Sequence, residues 1–494
     1  MQISDHVEWN YEPELSPASG RDFDVAILDR EISADEYDFL IRFLRAYTLF
    51  VTENVLLEED SITRRLMARK KGKRISAEEL SILLKEDLQD YYAESYGERS
   101  ALNNLSVAQG FQGRVFWKGS EGISLDGDFG NEPAQIVFWR NNIPLTGNRT
   151  LEFWLEYAKD ATVEILLEMT VFRFEYGTIP TAEEVRTFTE KDLEDMVYIQ
   201  NKSMAEKFLF VSLSARGKGN LTVTALHNRY SRRGKGNFIP GGKRCVTSDR
   251  EEVFYYFDPG NLEPPLNVYF SGYRRKESFE GYGIMRRMGH PFLLMVDVRL
   301  EGGAAYMGSE EYEDTIEWIL RSHMEELGFQ SSEVILSGIS MGSFGALYYG
   351  CKIHPHTILI GKPLTSFGDI AENERINRPE EFPTSLDILH KFGGSLSRDA
   401  ADRLNDRFWD VFDETRWEDT QFAVAYMIED DYDRTAYEKL RTHLRGTGVK
   451  IYGKGLHGRH NDDTAGIVNW FLSQYHRIIW DDFENVENGS GGQR

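Results

Sequence analysis

The residues with the most chemical content are a serine set between two glycines, Gly338-Ile339-Ser340-Met341-Gly342. A serine hydroxyl attacks a carbonyl only when a neighbouring base takes its proton. The Gly-x-Ser-x-Gly pattern delivers such a hydroxyl when it lies on a sharp strand-to-helix turn, where small neighbours let the backbone pass closely. The run Glu333-Val334-Ile335-Leu336 before it reads as a buried strand, and Ser343 to Tyr349 after it as a helix. The N-terminal dipole of that helix faces an oxyanion formed at the serine.

A serine nucleophile on this kind of sheet is completed by an acid after a later strand and a histidine after the last one, in that chain order. The apolar run Gln421 to Met427 is followed at once by Glu429, Asp430, Asp431 and Asp433. The next strand, around Lys450 to Tyr452, leads into Gly455-Leu456-His457-Gly458-Arg459-His460, and a helix opens near Thr464. His460 is favoured as the base because it stands closer to that final helix, with His457 the alternate. Asp430 is favoured as the acid, with Glu429 the alternate. His443 and His476 fall in helices and are expected only to pack or face solvent.

The oxyanion needs two backbone donors. The amide of Met341, directly after the nucleophile, is one. The turn Ser271-Gly272-Tyr273-Arg274 after the strand Val268 to Phe270 offers the other, with Gly272 allowing close approach and Tyr273 as the candidate donor. No metal is expected: the chain has no His-Glu-x-x-His and no paired cysteine spacing. Nor does it carry the Gly-x-x-x-x-Gly-Lys-Ser/Thr loop that cradles nucleotide phosphates.

These residues need a scaffold. From about Glu252 onward, continuous apolar runs at Leu266 to Phe270, Phe292 to Val296, Glu333 to Leu336, Thr357 to Ile360, Phe422 to Met427 and Val449 to Tyr452 alternate with helical patterns. Strands apolar on both faces imply a mostly parallel sheet covered on both sides, the α/β-hydrolase-like class. Arg375 to Trp417 interrupts this sheet and reads as a lid or an inert insertion. Between about Val107 and Val253, short runs of β-formers separated by Gly, Asn and Asp turns predict a β-sandwich. Its Trp117, Trp139 and Trp154 suit either a core or a sugar-stacking surface. The N-terminal part predicts a small α/β unit, with Phe23 to Asp29 as a strand and Ser33-Ala34-Asp35-Glu36 as a capping box.

The expected domains are therefore 1–100, an N-terminal α/β segment; 101–250, the β-sandwich module; 251–480, the hydrolase-like domain; and 481–494, an acidic, Gly-rich tail. Two basic segments stand out. Arg64 to Arg74 reads as a solvated linker or helix face. His227 to Arg244 reads as a flexible loop whose Arg229, Arg232 and Arg233 are weak candidates for gripping an anionic substrate.

Composition sets the outer limits. The 494 residues carry 57 Lys and Arg against 81 Asp and Glu, a formal charge of −24. That balance repels nucleic acid and anionic lipid at long range and argues against a general role on either. The charged share of 28% beside a hydrophobic share of 41% describes a folded chain. Cys245 and Cys351 build no disulfide framework, and Met1 to Asn10 lack the pattern of a signal peptide, so cytoplasmic residence is expected.

Five segments together, Phe23 to Arg30, Ala46 to Glu53, Phe270 to Arg274, Gly338 to Gly350 and Asp430 to Asp433, resemble the family of second accessory secretory (Asp) proteins of Gram-positive accessory Sec systems. The resemblance runs from about residue 20 to 480. It implies a cytoplasmic protein that binds two companion accessory proteins and works with the accessory SecA motor, with peripheral membrane association through the translocase. It implies export of glycosylated serine-rich-repeat adhesins as the setting. It also implies a hydrolase-like domain that O-acetylates N-acetylglucosamine on the adhesin glycan from an acetyl donor, with no bound cofactor. The triad it implies falls on Ser340, Asp430 and His460, and the family's acid can be Glu. The β-rich region would then resemble a carbohydrate-binding module.

Overall fold

The computed structural model describes residues 7–8, 23–174 and 177–485. The sequence expectations for most of Met1 to Asn10 and for the tail beyond residue 485 lie outside the described residues. The chain builds three sheets of three, ten and eight strands.

The N-terminal sheet is parallel: Ala26–Leu28 pairs with Leu49–Thr52, which pairs with Lys73–Ile75. The helix Ala34–Phe43 opens with the capping box foreseen at Ser33 and Glu36. Leu40 and Leu44 share a core with Val51 and Leu66. The basic segment Arg64 to Arg74 is not a linker. It supplies most of the helix Ile62–Lys70 and part of the strand Lys73–Ile75. Three of its charges are held within the protein: Arg69 donates to the Gly260 carbonyl at 2.8 Å, Lys70 to that of Ile41 at 2.8 Å, and Lys71 pairs with Glu326. Burial brings the Lys70 ammonium down to about 8.

The β-rich region departs from the expected sandwich. Its ten strands are joined by antiparallel pairing into one sheet rather than two. The strands Gly122–Trp139 and Lys207–Tyr230 are long enough to pair along different stretches with different neighbours. Their mutual register shifts around Gly217, whose φ is 100° and where a Cβ would sit 2.0 Å from the Thr162 carbonyl oxygen. Such bulges bend strands, and the sheet curls round one core that holds Leu125, Phe153, Leu167 and Leu213 together. Alternation in sequence reports strands; it does not report how bulges join them.

The third sheet has the order Lys243–Val246, Glu252–Asp258, Phe292–Asp297, Leu266–Phe270, Val334–Ile339, Thr357–Gly361, Gln421–Met427, Ile451–Leu456. The first two pairings are antiparallel and the remaining five parallel. The sheet thus begins ahead of residue 251. The helices Glu310–Leu327, Met341–Ile353 and Arg398–Glu414 bury one face and Thr464–Ile479 the other. This two-sided burial is why the six inner strands carry apolar runs, whereas the edge strands Lys243–Val246 and Ile451–Leu456 are exposed or half-buried. The insertion after Thr357–Gly361 folds as the helices Phe367–Ile376, Thr384–Gly393 and Arg398–Glu414. Among the described residues no helix is long and apolar enough to cross a membrane.

Candidate active site

Ser340 sits between the strand Val334–Ile339 and the helix Met341–Ile353 with φ 56° and ψ −123°. A side chain at positive φ is strained. The flanking glycines allow the turn: a Cβ on Gly338 would lie 2.3 Å from the Gly342 carbonyl oxygen, and one on Gly342 would lie 2.0 Å from that of Phe270. The Ser340 amide donates to Gly361 at 2.8 Å, which fixes the turn against the neighbouring strand.

Ser340 Oγ lies 2.8 Å from His460 Nε2. On the other side of the ring, His460 Nδ1 lies 2.9 Å from Asp430 Oδ2. A carboxylate only accepts, so Nδ1 carries the proton and Nε2 is left to accept from the serine hydroxyl. The second Asp430 oxygen receives the amides of Tyr432 at 2.8 Å and Asp433 at 3.2 Å. Burial raises the Asp430 carboxyl, but the His460 hydrogen bond and charge and these two amides outweigh it and hold it below the usual carboxylate range. Asp430 is 4% exposed, and the His460 residue 2%.

The alternates form a separate pair. His457 Nδ1 is 3.1 Å from Glu429 Oε1, and Glu429 Oε2 accepts the Gly458 amide at 2.7 Å. Their side chains are 86% and 47% exposed, so this pair faces solvent rather than Ser340. His443 stacks on Trp409 with ring centroids 4.2 Å apart, and His476 is exposed.

The amides of Met341 and Tyr273 have no acceptor among the described residues. Gly272 does not share that role, because its amide donates to Glu280 Oε2 at 2.8 Å. Its contribution is space: a Cβ there would meet the Ile339 carbonyl oxygen at 2.9 Å. Tyr306 steadies the same turn by donating to the Ser271 carbonyl at 2.9 Å.

The arginines Arg229, Arg232 and Arg233 do not reach this site. Arg229 belongs to the strand Lys207–Tyr230 and is buried against both oxygens of Glu252 and one of Glu277. Arg232 donates to the carbonyls of Asp90, Tyr92, Glu94 and Phe238. Arg233 pairs with Asp90. Arg229 and Arg232 are buried and turned toward internal acceptors, and Arg233, though exposed, is tied to Asp90 and the Glu86 carbonyl, so none of the three is presented at Ser340. Trp139 and Trp154 are core residues, and Trp154 Nε1 donates to Arg250 at 3.0 Å; Trp117 is 52% exposed. The ligand atoms of Glu156, His227 and Glu252 lie within 4.8 Å of one another. Arg229 and Arg244 occupy both Glu252 oxygens, and their charge opposes a cation there.

Two residues beside the site carry no sequence signal of their own. The Tyr432 ring stacks on His460 with centroids 4.1 Å apart and planes 1° from parallel. Phe382, from the insertion, stacks on Tyr432 at 5.3 Å.

Residues 5–485 match the family described as the accessory Sec system GspB-transporter, that of the second accessory secretory protein. The chain belongs to this family. It is 41% identical over 433 residues to the second accessory secretory protein of the accessory Sec system of Streptococcus gordonii, covering 88% of this chain and 84% of that one. With the corresponding accessory Sec system protein of Staphylococcus aureus it shares 41% identity over 397 residues, or 80% and 76% of the two chains. A solved structure of the glycosylation associate protein (Gap123) complex from Streptococcus agalactiae superposes with a TM-score of 0.84 at 35% identity, covering 94% of this chain and 88% of that chain. All three sheets of this accessory Sec family member, and not the Ser340 sheet alone, lie within the span matched by the family.

Proposed function

We propose that this member of the second accessory secretory protein family is a serine-dependent O-acetyltransferase that modifies N-acetylglucosamine on the glycans of serine-rich-repeat adhesins and assists their export. The observation that carries the chemistry is the Ser340–His460–Asp430 relay, with contacts of 2.8 and 2.9 Å on a serine held at positive φ. His460 takes the Ser340 proton as the oxygen attacks the donor's acetyl carbonyl. The amides of Met341 and Tyr273 receive the oxyanion, and the imidazolium returns its proton to the departing donor. A sugar hydroxyl, deprotonated by the same histidine, then attacks acetyl-Ser340 and restores the serine.

The export role draws on a different observation: likeness to the Gap123 complex structure spans 94% of this chain, far more than the Ser340 sheet. We place the protein on the cytoplasmic face of the membrane, with two companion accessory proteins, the accessory SecA motor and the adhesin as partners.

Ser340→Ala tests the reading. Adhesin from cells carrying the variant is expected to lose glycan acetyl groups by mass spectrometry, while the purified variant melts as the parent does. Full acetylation would overturn the enzyme reading. Rapid release of acetate to water with none on the glycan would make it an esterase. Capture of the companion proteins and the motor by the same variant tests the export role, and loss of both from the parent protein would remove it.

A further inference from the structure

The segment between the helices Phe367–Ile376 and Thr384–Gly393 belongs to an insertion that contributes neither nucleophile, acid nor base. Yet its Phe382 touches both sides of the Ser340 site. One contact is the near-parallel stack on Tyr432, at 5.3 Å and 9°. The other is an edge-to-face contact with Tyr273 at 5.7 Å and 85°. Tyr432 is bound to the relay twice, through its ring on His460 and through its amide on Asp430. Tyr273 carries one of the two free amides. A single buried phenyl ring therefore joins the base side of the site to the oxyanion side.

The segment is held firmly enough to transmit position. The Phe382 amide donates to Glu374 Oε2 at 2.8 Å, and Ser385 donates back to the Phe382 carbonyl at 2.8 Å. Glu374 pairs with Arg378 at 3.4 Å, whose guanidinium lies 3.8 Å from the Tyr432 ring centroid. At such short distances Arg378 and the His460 ring, 4.1 Å away, occupy opposite faces of that ring, so the Phe382 stack at 5.3 Å is displaced sideways toward its edge. The Tyr432 hydroxyl donates to the Glu381 carbonyl at 3.2 Å and accepts from Asn461, the neighbour of His460, at 3.3 Å. Stacked aromatic pairs contribute modestly to stability, but displacing catalytic groups by about 1 Å can cost about a hundredfold in rate.

We infer that Phe382 is a positioning residue for acyl transfer, setting His460 through Tyr432 and the oxyanion amide through Tyr273; the inference rests on the serine-acyltransferase reading of this site. The insertion is then part of the transfer centre.

The test uses the full chain with p-nitrophenyl acetate, reading nitrophenolate release and acetyl-Ser340 by mass spectrometry, for the parent, Phe382→Leu and Phe382→Tyr. Leucine keeps an apolar side chain and loses the plane; tyrosine keeps the plane. The expected result is a 10- to 100-fold fall in kcat for Phe382→Leu with KM within about threefold and little change in melting temperature, and recovery to within about threefold in Phe382→Tyr. Parental kcat in Phe382→Leu, a change in KM alone, or equal loss of rate and melting temperature in both variants would overturn the inference. If the parent itself leaves Ser340 unacetylated, the acyltransferase reading fails first. The inference is then read from the His460 imidazole proton resonances of Phe382→Leu: unchanged shifts and widths overturn it, whereas altered ones retain the positioning contact.

Discussion

His227 and Glu277 meet in the interior, Nδ1 to Oε1, at 2.5 Å. The first belongs to the long strand of the ten-stranded sheet. The second lies four residues beyond Tyr273, on the loop that follows the strand Leu266–Phe270. Arg229 binds the other Glu277 oxygen, and the Glu277 amide donates to Gly97 at 2.9 Å. The β-rich region thus pins the loop from outside the sheet that bears the nucleophile.

Glu277→Gln should therefore affect both stability and chemistry. Taking one charge from a buried cluster leaves Arg229 and His227 under-compensated, a change that costs about 3–5 kcal/mol. We expect a lower denaturation midpoint together with slower acetylation of Ser340. Unaltered acetylation in a destabilised variant would show that the anchor serves folding alone.

His227 gives this contact a pH dependence. Burial opposes its charge, but Glu277, with Glu156 beside the other nitrogen, outweighs that and lifts the imidazole to about 9. A group raised above its ordinary value of about 6.5 stabilises fully below that pH and loses the effect as pH rises through the folded value. The shift corresponds to on the order of 3 kcal/mol. Melting curves of the parent and His227→Gln should differ most near pH 6 and converge toward pH 10. A gap constant with pH would remove the imidazolium from the account.

The competing acids and histidines separate cleanly by mutation. Asp430→Asn keeps the size of the acid but no longer fixes the His460 tautomer, and a loss on the order of 10⁴-fold in kcat is expected by analogy with serine hydrolase triads. Glu429→Gln and His457→Gln alter an exposed pair and should stay within about twofold of the parent. Steady-state rates with p-nitrophenyl acetate decide. A large loss in Glu429→Gln with none in Asp430→Asn would reverse the assignment of the acid.

Much of this site is legible in sequence because it is local. Gly338, Ser340 and Gly342 declare a turn, and the apolar runs on either side of the acid and histidine loops declare parallel strands. Asp430 and Glu429 are adjacent, however, and His457 and His460 stand three residues apart, so it takes the folded hydrogen bonds and burial to separate the two pairs. Arg229 defeats a sequence reading for a related reason. The basic, Gly-rich run after His227 looks like a loop, but the strand Lys207–Tyr230 carries its first residues into the interior, where Glu252 and Glu277 wait from later in the chain. Phe382 leaves no trace in spacing at all, since its contacts with Tyr273 and Tyr432 arise only when three separate loops pack.

Gly342→Ala tests how tightly the turn is built. On helix propensity alone, alanine should stabilise a helical position by about 1 kcal/mol relative to glycine. Against that, the added Cβ would stand 2.0 Å from the Phe270 carbonyl oxygen and 3.1 Å from that of Ser271. These are backbone atoms and cannot rotate away. Relieving the overlap requires the helix Met341–Ile353 to part from the strand Leu266–Phe270, and that strand leads directly into Gly272 and Tyr273. Overpacking in a well-filled interior costs about 1–3 kcal/mol or more, so the clash should outweigh the propensity gain. The expected outcome is a lowered melting temperature and a rate of Ser340 acetylation reduced further than stability alone explains, because the Met341 and Tyr273 amides separate. A variant that melts higher than the parent and acetylates at its rate would show that the two elements have room to move, and that the close approach of Gly342 to Phe270 does not set the oxyanion geometry.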